Sequence, residues 1–486
     1  MKRFHQPLIV LSLLLLSFEI SNSQPTLHHK VKEIAEAEAR YAYFSGVVLI
    51  AKADSIVYEG AYGYANRDFM LPNSLSTKFN IGSITKTFTA LSILQLVEQG
   101  KVSVEDTLSK FLPDCPVPEK NEITIHQLLT HTSGLYDYAN SDAVFESDLI
   151  NKRKISEMVP YVYGSGLLFK PGEDVAYSSG GYILLGAVIE KVTGMSYFDY
   201  VTEHILKPAQ MKNTEFLCAE DVSPNKAEGY KQLEKDKYIN RKLLDFPPSS
   251  AGGIWTTADD LLRYVNFLFD NKLLSGKYLN LLISPKTKYV PGRGKAAYGW
   301  WTDIVDGREV VYHTGGTPGF SSSLYIFPDS GYTAVVLSNS FRGTTGITDL
   351  INSALTGSYY ELSDQNTYDL RKGIDAYYRG DKKEAIQLLD PIVRSSRPSR
   401  RAFYYAAAAR IDENMEIPEA IELLDRYIEL TPPELSASKA FAWYRKGQAY
   451  ERLNDSQNAV HCYETSLELN PEQDGVRDAL AELKNK

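Results

Sequence analysis

Two apolar rhythms divide the chain. From Lys30 to Tyr43, charges and alanines predict a first helix, and the β-rich runs Gly46 to Ala51 and Ser55 to Tyr62 flank Lys52-Ala53-Asp54 as a hairpin. After the turn Asn80-Ile81-Gly82-Ser83-Ile84-Thr85-Lys86, the residues Phe88, Leu91, Leu94 and Val97 return at helical spacing, and Gly100 supplies a stop. A short amphipathic helix is expected over Ile123 to Thr130. A longer apolar one spans Ile183 to Val192, behind the turn-rich approach Lys170 to Tyr182. Thr257 can cap a helix that Asp260 answers three residues later. Strand character returns in Glu309 to His313, Ser321 to Phe327 and Thr333 to Ser338, with a turn at Asp329-Ser330-Gly331.

Strands at both ends of a region that is otherwise helix and loop imply an α+β fold. One antiparallel sheet is assembled from distant segments and flanked by helices, and residues 135 to 300 supply a helical subdomain. Beyond about residue 360 the composition shifts to Ala, Leu, Tyr and charge. Ala385, Ala420 and Ala459 recur 35 and 39 residues apart, each with Leu or Tyr four positions on. Trp443, Gly447, Tyr450, Ala459, Tyr463 and Pro471 fall at the spacings of a helix-turn-helix repeat of about 34 residues. This tail resembles three tetratricopeptide repeats, an all-α stack; the alternative is a plain helical bundle. The expected organisation is a leader at 1–23, a first domain at 24–360 and a repeat domain at 361–486.

Composition narrows the function. A net charge of −9 argues against nucleic acid as a partner. Lys2 and Arg3, the apolar run Leu8 to Phe18 and then Ser21-Asn22-Ser23 fit an export signal, hence a periplasmic or secreted protein. The run is too short to span a bilayer comfortably, with an uncleaved anchor as the alternative, so no stable membrane span is expected. Three scattered cysteines give no metal spacing and no disulfide framework; one bridge, Cys115 to Cys218, is conceivable. His126 and His131 lie about 140° apart around a helix, which favours structural roles over a shared metal. No metal and no cofactor are expected.

The chemistry centres on Ser83 and Lys86. Ser83 falls at a helix start, where free N–H groups favour an oxyanion, and Lys86 is three residues on, over the same face. A serine hydroxyl needs a partner to take its proton, which a lysine can do. Ser-x-x-Lys also occurs at Ser223 to Lys226 and at Ser436 to Lys439, but only Ser83 opens a long apolar helix after a glycine turn. Tyr177 could project from its loop into a cleft. His313-Thr314-Gly315-Gly316-Thr317-Pro318-Gly319 is expected to end a strand, with glycines allowing close backbone approach, so that a glycine-flanked N–H there could form the second half of an oxyanion hole opposite Ser83.

The order Ser83-x-x-Lys86, Tyr177-Ser178-Ser179, His313-Thr314-Gly315 resembles the three motifs of the serine β-lactamase and penicillin-binding protein superfamily, in the branch of class C β-lactamases, D-specific peptidases and esterases. Leu129 to Leu135 and Gly316-Thr317-Pro318-Gly319-Phe320 strengthen the likeness, which runs from about residue 30 to 345. The resemblance implies that Ser83 is acylated, that Lys86 and Tyr177 share its proton traffic, and that the N–H groups of Ser83 and Gly316 hold the oxyanion. It gives His313 and Ser179 to substrate binding. Many relatives carry lysine in place of His313 and usually asparagine in place of Ser179, which weakens the case for true β-lactamase action. The expected function is an exported serine hydrolase of a small ester or amide, D-amino-acid-containing peptides included. The alternative is a weakly active binding protein that docks a protein partner through its repeats.

Overall fold

The computed structural model describes residues 26–137, 152–162, 166–218, 220–234, 237–241, 247–290, 292–358, 362, 367–395, 398–431, 435–471 and 473–484. The leader expected at residues 1–23 lies outside them. Helix α1 (Leu27–Tyr41) is capped by Thr26, whose hydroxyl accepts the His29 N–H. Strands β1 (Gly46–Lys52) and β2 (Ser55–Tyr62) form the expected hairpin. There follow α2 (Thr85–Glu98), α3 (Ser179–Thr193), a hairpin of β3 (Tyr230–Glu234) and β4 (Lys237–Asn240), and α4 (Ala258–Phe269). Strands β5 (Lys295–Ala296), β6 (Trp301–Val305), β7 (Arg308–Thr317), β8 (Phe320–Phe327) and β9 (Tyr332–Ser338) lead to α5 (Ile347–Thr356).

The sheet runs β5-β6-β7-β8-β9-β1-β2, antiparallel throughout. Its closure joins the two ends of the domain, with Val48 opposite Val336. Alternation sorts the side chains: Val47, Leu49, Val335 and Leu337 enter the core that α2, α3 and α4 cover, whereas Val48, Ile50, Ala334 and Val336 pack with Ile34 of α1 and Ile351 of α5. Both faces are covered, so β1 reads as an unbroken apolar run rather than an alternating one.

The structure departs from the sequence reading at five places. Helix α2 is buried on all sides, not along one face; it tolerates this because Thr87, Thr89 and Ser92 donate their hydroxyls to the carbonyls of Ile84, Ser250 and Phe88. Ser83 lies in a short 3-10 turn, Gly82–Ile84, just ahead of α2. Thr257 does cap α4, but the Asp260 carboxylate turns away to accept from the Asn213 N–H and the Thr214 hydroxyl. Strand β7 does not stop at His313 but continues to Thr317, because Gly315 and Gly316 stay paired with Ser322 and Ser321. The bridge conceivable between Cys115 and Cys218 is not formed; all three cysteines are free thiols.

Among the described residues the tail forms three helical hairpins, α6 (Thr367–Arg379) with α7 (Lys382–Val393), α8 (Arg400–Glu413) with α9 (Ile417–Leu430), and α10 (Ser436–Arg452) with α11 (Ser456–Leu469), closed by α12 (Asp474–Lys484). Ala385, Ala420 and Ala459 are fully buried where helices meet. A Cβ on Gly447 would sit 2.3 Å from the Tyr463 ring, so the paired helices leave no room for a larger residue there. Most of the tail packs into a core of its own. It is tied to the first domain by Arg371, which pairs with the buried Glu38 and donates to the carbonyls of Ala42 and Thr345, and by Asp375, 3.2 Å from Arg342. No described helix is long and apolar enough to cross a membrane.

Neighbouring glycines on β7 differ sharply. A Cβ on Gly315 would fall 1.9 Å from the Ile81 carbonyl oxygen, whereas one on Gly316 meets nothing within 4 Å. Gly315→Ala is expected to cost about 3 kcal/mol or more and Gly316→Ala under about 1 kcal/mol, as read by urea unfolding.

Candidate active site

The site is built from a turn, a helix start and a strand. Gly82 takes a φ of +50°, and its N–H donates to the Asn80 side-chain oxygen at 3.0 Å, so the backbone swings round just before Ser83. The turn lies hard against β7. A Cβ on Gly82 would be 2.7 Å from the Gly316 nitrogen, and the Ser322 hydroxyl donates to the Ile81 carbonyl at 2.8 Å. Ser83 and Gly316 thereby face the same cleft, about 540 Å³ in volume, which Tyr177 and Ser179 also line.

Lys86 lies beneath the cleft floor and is 0% exposed. Its amine donates to Ser83 Oγ at 3.1 Å, to the Ala251 carbonyl at 2.7 Å and to Ser179 Oγ at 3.4 Å, and no carboxylate among the described residues pairs with it. The amine also sits 4.9 Å from the centre of the Tyr177 ring. The structure therefore brings Ser83, Lys86, Tyr177 and Ser179 together. The other two Ser-x-x-Lys matches make no such pair with a cleft: Ser223 donates to Glu215 and Lys226 to the carbonyls of Cys218 and Asp221, while Ser436 begins α10 of the repeat domain.

Tyr177 is held from behind. The His131 ring lies 4.5 Å from it, centre to centre, and stacks 5.9 Å from Trp301. The Ser178 N–H donates to His131 Nδ1 at 3.2 Å, which makes that nitrogen an acceptor and leaves the proton on Nε2. The Ser179 N–H donates to Asp137 Oδ1 at 3.0 Å, and the Ser178 hydroxyl caps α3 by accepting from Gly181. Burial first, and then the charge of Lys86, holds the His131 pKa well below its ordinary value. His131 thus supports the tyrosine, a role that the sequence leaves as merely structural; Asp137 and the Ala251 carbonyl carry no sequence signal at all.

His313 is buried, 2% exposed, with its ring 6.5 Å from that of Tyr177, centre to centre, its Nδ1 2.6 Å from the Thr314 carbonyl and its Nε2 without a hydrogen-bond partner among the described residues. Burial, joined by the charges of Lys86 and Arg293, pushes its pKa down to about 3. At neutral pH it brings no positive charge to the site.

The profile of the Beta-lactamase family matches residues 31–357. The chain belongs to that family. A Tetratricopeptide repeat profile matches residues 440–473 in the tail. Protein flp of Staphylococcus aureus (strain MW2) is 31% identical over 320 residues, covering 64% of this chain; the chain spans 62% of that relative's length. The crystal structure of a penicillin binding protein from Bacillus halodurans superposes with a TM-score of 0.60 at 30% identity, covering 67% of this chain and 98% of the other. A D-stereospecific amidohydrolase from a Streptomyces species does so with a TM-score of 0.59 at 25% identity, covering 68% and 99%. The family fold and these neighbours are those of a serine hydrolase of the β-lactamase and penicillin-binding type.

The buried imidazole has a measurable consequence. As pH falls below 6.5 the unfolded chain binds a proton at His313 that the folded chain refuses until about pH 3, so acid removes stability across that window. Wild type should lose about 1.4 kcal/mol per pH unit more than His313→Asn between about pH 6 and pH 4, measured by urea unfolding.

Proposed function

We propose that this member of the Beta-lactamase family is an exported serine hydrolase that cleaves a small ester or amide, D-amino-acid-containing peptides included, through an acyl intermediate on Ser83. The observation that carries the proposal is the buried Lys86 amine, 3.1 Å from Ser83 Oγ, with no carboxylate among the described residues to occupy it. Export rests on the N-terminal leader pattern. The D-amino-acid reading draws support from the Streptomyces amidohydrolase.

In the first half-reaction Ser83 Oγ attacks the carbonyl carbon and gives its proton to Lys86. The oxyanion takes hydrogen bonds from the N–H groups of Ser83 and Gly316; Gly82, just ahead of Ser83, already lies against the Gly316 backbone. The bond to the leaving group breaks as Tyr177 protonates it, and Lys86 returns a proton to the phenol. In the second half a water gives up a proton to Lys86, the phenol having been restored, and attacks the acyl carbon; the Oγ–C bond breaks as Lys86 hands that proton to Oγ, and the serine hydroxyl and a free acid result. Ser179 offers only a hydroxyl on this wall, so it holds an amide less firmly than a carboxamide side chain does. Esters and small amides fit that better than β-lactams. The repeat domain serves as a docking surface for a protein partner.

Protein lacking residues 1–23 should be labelled by a fluorophosphonate and should hydrolyse a short-chain nitrophenyl ester. Ser83→Ala should abolish labelling, and Lys86→Met and Tyr177→Phe should lower kcat about a hundredfold or more. Absence of labelling in the wild-type protein favours the weakly active, partner-docking alternative.

A further inference from the structure

The wall of the cleft does not stop at the first domain. Phe341 lines the cleft and is still 45% exposed, so its ring has surface left for something beyond the reacting groups. Its N–H donates to the Tyr230 carbonyl at 2.9 Å, which fixes the residue to β3. Arg342 follows in a left-handed turn, with a φ of +58°, a conformation that glycine adopts freely and arginine rarely does. Strain kept at an arginine points to a use for its side chain.

That side chain leads from one domain to the other. Its guanidinium lies 5.4 Å from the centre of the Phe341 ring and 5.9 Å from that of Tyr378, near the end of α6. Tyr378 is 60% exposed, and its ring stands 5.8 Å from that of Tyr405 on α8, centre to centre, with the two hydroxyls 3.0 Å apart. A row of planar groups thus starts in the cleft and runs onto the first helices of two repeat hairpins. The row has no free cation at Arg342, because Asp375 pairs with it at 3.2 Å. Tyrosines of this kind offer an apolar face to a ligand while their hydroxyls stay bonded or wet.

We propose that this row extends the active-site cleft onto the repeat domain, and that the substrate cleaved at Ser83 is an extended peptide whose distal residues lie over Arg342, Tyr378 and Tyr405. This rests on the acyl-serine reading above and adds to it the length of the substrate. The steps of 5.4, 5.9 and 5.8 Å are spanned by about five residues of extended chain, at roughly 3.3–3.6 Å each. An extended chain laid along an aromatic-lined groove is a recurrent way of holding a peptide. The repeat hairpins then hold the same molecule that the first domain cleaves, so the docked partner and the substrate are one chain.

The test uses three uncharged substrates with the same scissile ester. The short one joins N-acetyl-D-alanine to glycolamide; the second inserts Leu-Gly-Leu-Gly-Leu between the acetyl group and D-alanine; the third adds that pentapeptide amide to the glycolyl carbonyl instead. For the wild-type chain lacking residues 1–23, kcat/KM for at least one extended ester should exceed that for the short ester by about tenfold or more. The extension that gains shows which side of the scissile bond faces the repeats. The ratio should fall toward one in Tyr378→Ala and in Arg342→Gly, which relieves the left-handed residue rather than straining it, and further in the double variant. It should persist in about 1 M salt, where charges are screened over about 3 Å, and its collapse there would overturn recognition by rings. A wild-type ratio near one for both extensions, or a ratio that survives in the double variant, overturns the extended cleft while Ser83 still acylates with the short ester in mass spectra. No acyl-Ser83 from any ester, together with no fluorophosphonate labelling, overturns the hydrolase reading and the extension with it.

Discussion

The site depends on a place where two backbones meet with no side chain between them. Ile81 and Gly82 lie on Gly315 and Gly316 so closely that a methyl group at position 315 would overlap a carbonyl oxygen. That contact fixes the nucleophile's turn to the central sheet, and the start of α2 follows from it. With the helix start fixed, Lys86 can only point into the space beneath Ser83, where the Ala251 carbonyl and two hydroxyls receive its amine. A buried amine is costly to leave unsatisfied, and its hydrogen bonds to these neutral oxygens offset part of that cost. The surrounding core supplies the rest: Phe88, Leu91 and Leu94 are wholly buried in α2, each worth about 1.5–3 kcal/mol when removed from water.

What the sequence discloses depends on how local each relation is. Ser83 and Lys86 are legible because three residues of helix are enough to bring them together. The first hairpin and strands β8 and β9 are legible because their apolar runs and turns are short-range patterns, and the buried alanines of the tail recur at a fixed period. Tyr177 is different, since nothing within its own loop distinguishes it from 32 other tyrosines. Only its order relative to the other two motifs, and the family likeness, single it out.

The rest was hidden for physical reasons. A glycine pair reads as the end of a strand, yet in β7 it continues the ladder because the approaching turn needs the space. The burial of His313 and its place 6.5 Å from the Tyr177 ring depend on how β7 packs, which its motif does not disclose. Asp260 could answer its helix cap in sequence terms; the loop at Asn213 and Thr214 competes for the same carboxylate and wins. Arg293, Arg241 and Lys231 all line the cleft yet leave no pattern, because single cations in loops and a hairpin become a group only when the chain folds.

The loop after β9 links two neighbourhoods through consecutive residues. Phe341 forms part of the cleft wall, and Arg342 beside it is bound to Asp375 of the first repeat hairpin, while Thr345 a little further on receives Arg371. Cutting the chain before residue 367 would strip that loop of its outer brace while leaving Ser83, Lys86 and Tyr177 in place. The isolated N-terminal portion therefore has one side of its binding groove without the support that the intact polypeptide gives it.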